Sequence, residues 1–248
     1  RVDDDRCPVT RRLRVAVLPP ARHGRFLGGP EHWRSELLDH VASGPPSSAR
    51  ALARVGLDPS ADVSAADLLT GLTMLRARAD CADFEALGVI QLWHRVPADR
   101  WPKRTRAEVR RALLDFKYWI DQPGLDAMCY FTENHQLVWH AAELLAGAAL
   151  AEETFTNAGR TGAEHAAHGR EHAVEWMRRR LVGGFSEFDS NAYVAIDCLA
   201  LVSLVEFAAD PEVARLAEAL LDKLLLCLAA NSWQGVHGAA HGRSYTPM

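Results

Sequence analysis

Three short stretches hold most of the side chains able to move protons or recognise polar ligands. Tyr130-Phe131-Thr132-Glu133-Asn134-His135-Gln136 places a phenol, a carboxylate, an amide and an imidazole just ahead of the apolar run Leu137-Val138-Trp139. Phe185-Ser186-Glu187-Phe188-Asp189-Ser190-Asn191-Ala192-Tyr193 holds a similar place before a second apolar run, and Trp233 to Tyr245 carries His237, His241, Arg243 and Tyr245 in a Gly-rich tail. Histidine and tyrosine can serve as general acids or bases. The planar fork of an arginine suits a carboxylate. Free N–H groups at a helix entrance favour anions, and two carboxylates can flank and hydrolyse a glycosidic bond. Plain helix capping by Thr132, Asn134, Asp189 or Ser190, with His135 and Tyr193 packed in a core, competes with each of these readings.

Helices must position these groups. Apolar residues recur at helical spacing over Glu31 to Val41, Ser64 to Ala77, Cys81 to Arg95, Thr105 to Trp119, Asn134 to Ala151, Thr161 to Leu181, Asn191 to Ala208 and Pro211 to Ala230. Gly183-Gly184 and Pro97 are stop signals, and Pro211 suits a first turn. Residues 1–30 form an irregular lead-in with one β-like run, Leu13 to Leu18, and residues 31–248 form the helical domain. Phe131-Thr-Glu-Asn134 and Phe188-Asp-Ser-Asn191 open two helices that are apolar nearly all round, 57 residues apart (134 to 191). A more polar helix lies between them. The expected architecture is all-α: antiparallel helix pairs with buried inner and charged outer members, forming an incomplete α/α toroid. Asn191 and Tyr193 would then project from the first turn of an inner helix. The ending in a loop, with few helix pairs, suggests continuation beyond Met248.

The totals narrow the function. A formal net charge of -4, from 28 basic and 32 acidic residues, argues against a nucleic-acid partner. No apolar run reaches the ~20 residues of a membrane span. No signal peptide is visible, which leaves secretion and the cytoplasm both open. The five cysteines, Cys7, Cys81, Cys129, Cys198 and Cys227, form no C-x-x-C pair, so a zinc cage is not expected and three of them read as small core residues. His165, His168 and His172 share one helix face, read as solvated beside Glu164, Arg170 and Glu171. No metal or other cofactor is implied, and the oligomeric state is left open.

Tyr130 to Gly147, with Gly184 to Asn191 and His241 to Tyr245, resembles a set of bacterial proteins of mostly unassigned function. That set is similar to the α/α-toroid polysaccharide lyases and glycoside hydrolases, and the resemblance spans Phe116 to Tyr245, about half the chain. It implies a poly- or oligosaccharide substrate and β-elimination from a uronate. Asn134 and Arg243 would bind the carboxylate, with Asn191, His241 and Gln136 also facing substrate. His135 would be the base, and Tyr193 or Tyr245 the acid. Glu133 and Glu187 depart from that scheme and fit glycoside hydrolysis instead. A helical-repeat scaffold that binds a partner without chemistry is the third expectation.

Overall fold

Caps and breakers set the helix boundaries in the computed structural model, which describes residues 29–233, 236–238 and 240–245. The expected β-like run Leu13 to Leu18 lies outside them. The helices are α1 Pro30–Ala42, α2 Ser48–Leu57, α3 Ala65–Ala77, α4 Ala82–Arg95, α5 Lys103–Asp115, α6 Glu133–Ala149, α7 Gly162–Gly183, α8 Val194–Phe207 and α9 Pro211–Ala230. The regular structure of the described residues is thus helical, apart from a two-residue antiparallel pairing of Ser232–Trp233 with Val236–His237 and a single bridge between Thr154 and Thr161.

Four boundaries differ from expectation. Helix α2 was not anticipated; the Ser47 side chain caps it by accepting the Arg50 N–H at 3.1 Å. Helix α5 stops at Asp115, because Phe116 turns extended and is buried together with Tyr118. The Tyr118 hydroxyl donates to Leu113 O at 3.0 Å, and the Gln122 side chain accepts its N–H at 2.9 Å. Helix α8 starts only at Val194, so Asn191 precedes it and Tyr193 is its cap residue. The tail, expected as a loop, contains the short pairing just described.

The helices stack in two rows. In the inner row α2 packs on α4, α4 on α6 and α6 on α8, while α7 packs on α6 and α9 on α7 and α8. Helices α4 and α6 run parallel, since Asp83 meets His135 near their starts and His94 meets Leu145 O near their ends. Helix α7 runs antiparallel to α6. A Cβ at Gly162 would lie 2.1 Å from Leu150 O and one at Gly169 would lie 2.5 Å from Leu144 N, so the glycines let the two backbones touch. Helix α6 is buried on nearly every side. Helix α8 is not: Val202 is 42% exposed and Val205 38%, so the expected full cover is missing on that face.

The α7 histidine face is not solvated. His165 is fully buried, and Glu143 of α6 accepts from its Nδ1 at 2.8 Å, from His168 Nδ1 at 2.8 Å and from Gln122 Nε2 at 2.9 Å. An inward carboxylate on α6 draws the imidazoles in, because a buried charge needs hydrogen-bond partners. Nor are the described cysteines core residues: Cys81, Cys129 and Cys198 are half-buried and Cys227 is exposed.

Candidate functional site

The entrances to α6 and α8 lock onto each other. The Glu133 carboxylate accepts the N–H groups of Ser186 at 3.0 Å and Glu187 at 2.7 Å, and it pairs with Arg180 of α7. In return, Glu187 accepts the Asn134 N–H at 3.1 Å and binds Arg243 Nη1 at 2.7 Å. Each glutamate satisfies orphan donors on the other's segment. The register of this exchange is 54 residues (133 to 187), and it aligns Phe131-Thr-Glu133 with Phe185-Ser-Glu187 rather than with Phe188-Asp-Ser-Asn191. The exchange therefore runs three residues out of step with the 57-residue echo, which aligns position 133 with 190.

Arg243 comes from the tail, which is fastened to the same loop. Gly242 N–H donates to Phe188 O at 2.8 Å, and a Cβ at Gly242 would lie 2.3 Å from Ser186 O, so only glycine fits there. His241 Nδ1 bonds Asp189 O. Arg243 also donates to the Tyr245 hydroxyl at 2.6 Å and lies over the Tyr193 ring at 4.3 Å, while the Tyr193 and Tyr245 hydroxyls meet at 2.7 Å. Burial, then the bond to Tyr245, pushes the Tyr193 phenol up to about 12. Tyr193 is thus a proton holder rather than a base.

Beneath the Glu133–Glu187 lock sits Asp197 of α8, 1% exposed, with its Oδ1 lacking a hydrogen-bond partner among the described residues. Burial raises its pKa to about 8, aided by the charges of Glu133 and Glu187 and opposed by Arg180. Asp197 and Glu187 share the wall of a cavity of about 240 Å³ with Phe185, Phe188, Lys223 and Asn231. That is smaller than the usual ~300–1,000 Å³ ligand site, so it suits one small ring rather than a chain.

Other expected site residues lie elsewhere. His135, beside Glu133 in sequence, turns toward α4: its Nδ1 meets Asp83 Oδ2 at 2.7 Å and Phe84 stacks on its ring at 4.6 Å. Asn134 is completely buried, and neither polar atom of its side chain has a partner, so it presents no group to a surface ligand. Gln136 lines a separate recess with Trp119, His140 and His172. There, burial and the charge of His172 pull His140 down to about 3. Asn191 is exposed and forms no side-chain hydrogen bond with a described residue.

Sequence reading missed Asp197, Arg180 and Asp83. Asp197 had a visible signal, a lone carboxylate inside Val194-Ala-Ile-Asp-Cys-Leu-Ala-Leu-Val202. Arg180, near the end of α7, carries no signal in the sequence beyond a charge suited to a helix end. No protein-family model, curated protein or solved structure matches this chain.

Proposed function

We propose that this protein acts on a saccharide by proton-transfer chemistry in the hollow between α8, α9 and the Phe185–Asp189 loop. The observation that carries the reading is Asp197, an aspartic acid that keeps its proton to about pH 8 on a wall shared with Glu187. Two carboxyl groups with environments that set them apart divide acid and base roles between them. Asp197 would give its proton to the glycosidic oxygen, and the charge of Glu187, fixed in place by the Asn134 N–H and Arg243, would stabilise the positive ring carbon. Phe185 and Phe188 offer apolar faces for a sugar ring. Glu133 serves to hold the site, because its oxygens are taken by backbone N–H groups and Arg180. The parallel α4 and α6, with α7 antiparallel outside, are the arrangement from which an incomplete α/α toroid would be built.

Arg243 with the Tyr193–Tyr245 pair favours a second reading, β-elimination from a uronate. Arg243 would attract the carboxylate and a phenol would protonate the leaving oxygen. His135 does not fit as base there, being bound to Asp83 on the α4 side.

The two readings separate in one assay on neutral and uronate-containing oligosaccharides. Hydrolysis releases reducing ends without new near-ultraviolet absorbance, and Asp197→Asn should slow it ~10²–10⁴-fold, the usual contribution of a positioned acid. New absorbance that survives Asp197→Asn but falls in Tyr193→Phe would transfer the assignment to elimination. Neither product from any glycan would end both.

A further inference from the structure

At the entrance of α4, Asp80, Cys81 and His135 each present a ligand atom, and the three atoms lie within 4.8 Å of one another. They are separated by 54 residues of chain (81 to 135), and only the parallel packing of α4 on α6 brings them together. We propose that Asp80, Cys81 and His135 form a binding site for a thiophilic divalent metal of the zinc type. The proposal stands apart from the saccharide reading, which uses none of these residues.

The donor set is one thiol, one imidazole and one carboxylate, which matches zinc. Zinc bonds of ~2.0–2.3 Å put neighbouring tetrahedral ligands roughly 3.3–3.8 Å apart. Small rotations of exposed Asp80 and half-buried Cys81 close the remaining gap. The imidazole is already oriented. Its Nδ1 is committed to Asp83 Oδ2 at 2.7 Å, and Phe84 stacks on the ring with an interplanar angle of 17°. That leaves Nε2 as the ligating nitrogen, in the carboxylate–histidine–metal arrangement that fixes tautomer and direction. Asp83 is fully buried, and its other oxygen, Oδ1, meets no side-chain partner among the described residues, so His135 is the side chain it orients. Cys81 sits at φ 63°, a left-handed conformation that a non-glycine residue adopts at some cost. With three protein ligands the metal keeps one position for water, as in reactive rather than purely structural zinc sites.

The test uses the full chain. It should bind one zinc ion per chain against a chromophoric chelator, and cobalt substitution should give a near-ultraviolet thiolate-to-cobalt band. Cys81→Ser should abolish the band. Asp83→Asn should weaken zinc ~10–100-fold while still giving the band, the effect expected of a positioning residue. Cys198→Ala, a distant cysteine on α8, should change neither. Absence of the band in the unaltered chain, or its survival in Cys81→Ser, would overturn the proposal. Should Cys81→Ser lose its helical circular dichroism, the exposed Asp80→Asn decides: at least a tenfold loss of zinc affinity supports the site, and unchanged affinity refutes it.

Discussion

Asp197 and Glu143 show how the same chemical group is handled in opposite ways. Glu143 is fully buried but surrounded by donors, so bonds from His165 and His168 hold its pKa down against desolvation. Glu143→Ala should cost ~3–5 kcal/mol, the range for breaking a buried pair, measured by urea denaturation at neutral pH. Burial keeps the proton on Asp197, whose Oδ1 meets no donor among the described residues. Its folded pKa, about 8, exceeds the ordinary 3.8. The native state therefore holds a proton that the unfolded chain has released. Its contribution to stability is complete below 3.8 and is lost as pH rises through about 8. Asp197→Asn removes this dependence. Its stability advantage over the unaltered chain should widen by up to ~1.4 kcal/mol per pH unit between those limits and level off above them. A flat difference across that range would refute the assignment of a held proton.

At the scale of the element, the α6–α7 pair depends on absent side chains. Alanine is the better helix former by ~1 kcal/mol. Even so, Gly169→Ala should destabilise by ~1–3 kcal/mol, because its Cβ would sit 2.5 Å from Leu144 N, on backbone that cannot yield cheaply. Gly183, at the end of the same helix, has nothing within 4 Å of such a Cβ, and Gly183→Ala should be neutral or stabilising by up to ~1 kcal/mol. Thermal melts of the two variants would separate packing from propensity. The start of α7 is fixed locally: Thr161 caps the Glu164 N–H at 3.2 Å and Glu164 returns a bond to the Thr161 N–H at 2.7 Å.

Across the whole molecule, links between distant helices tie the inner row together. Gln91 of α4 reaches Ser203 of α8 at 2.6 Å, 112 residues away, in a buried hydrogen bond, and Arg95 pairs with Glu206. The outer faces of α8 and α9 carry exposed Val202, Val205, Leu225 and Leu226. Surface positions seldom change stability by more than ~0.5 kcal/mol. Val202→Ser with Leu226→Ser should therefore shift Tm by no more than about 2–4 °C in a chain of this size. A larger fall would mean that these residues are covered in solution.

Helix existence was local information. Spacing of apolar residues, Pro97, Pro211 and Gly183-Gly184 set most elements to within a few residues, because backbone preference and capping act over one or two turns. The short α2, only ten residues long and directly behind Pro45-Pro46, escaped that reading. Glu133, Glu187 and Tyr193 could be named near helix starts, and Arg243 and Tyr245 from the Gly-rich tail, and they do gather. Their partners could not. A helix start sends residues 133, 134 and 135 outward about 100° apart, so Glu133 joins the α8 loop while His135 joins Asp83 and Cys81 on α4. Which neighbour each direction meets is decided by how α4, α6 and α8 stack, and no spacing along the chain carries that.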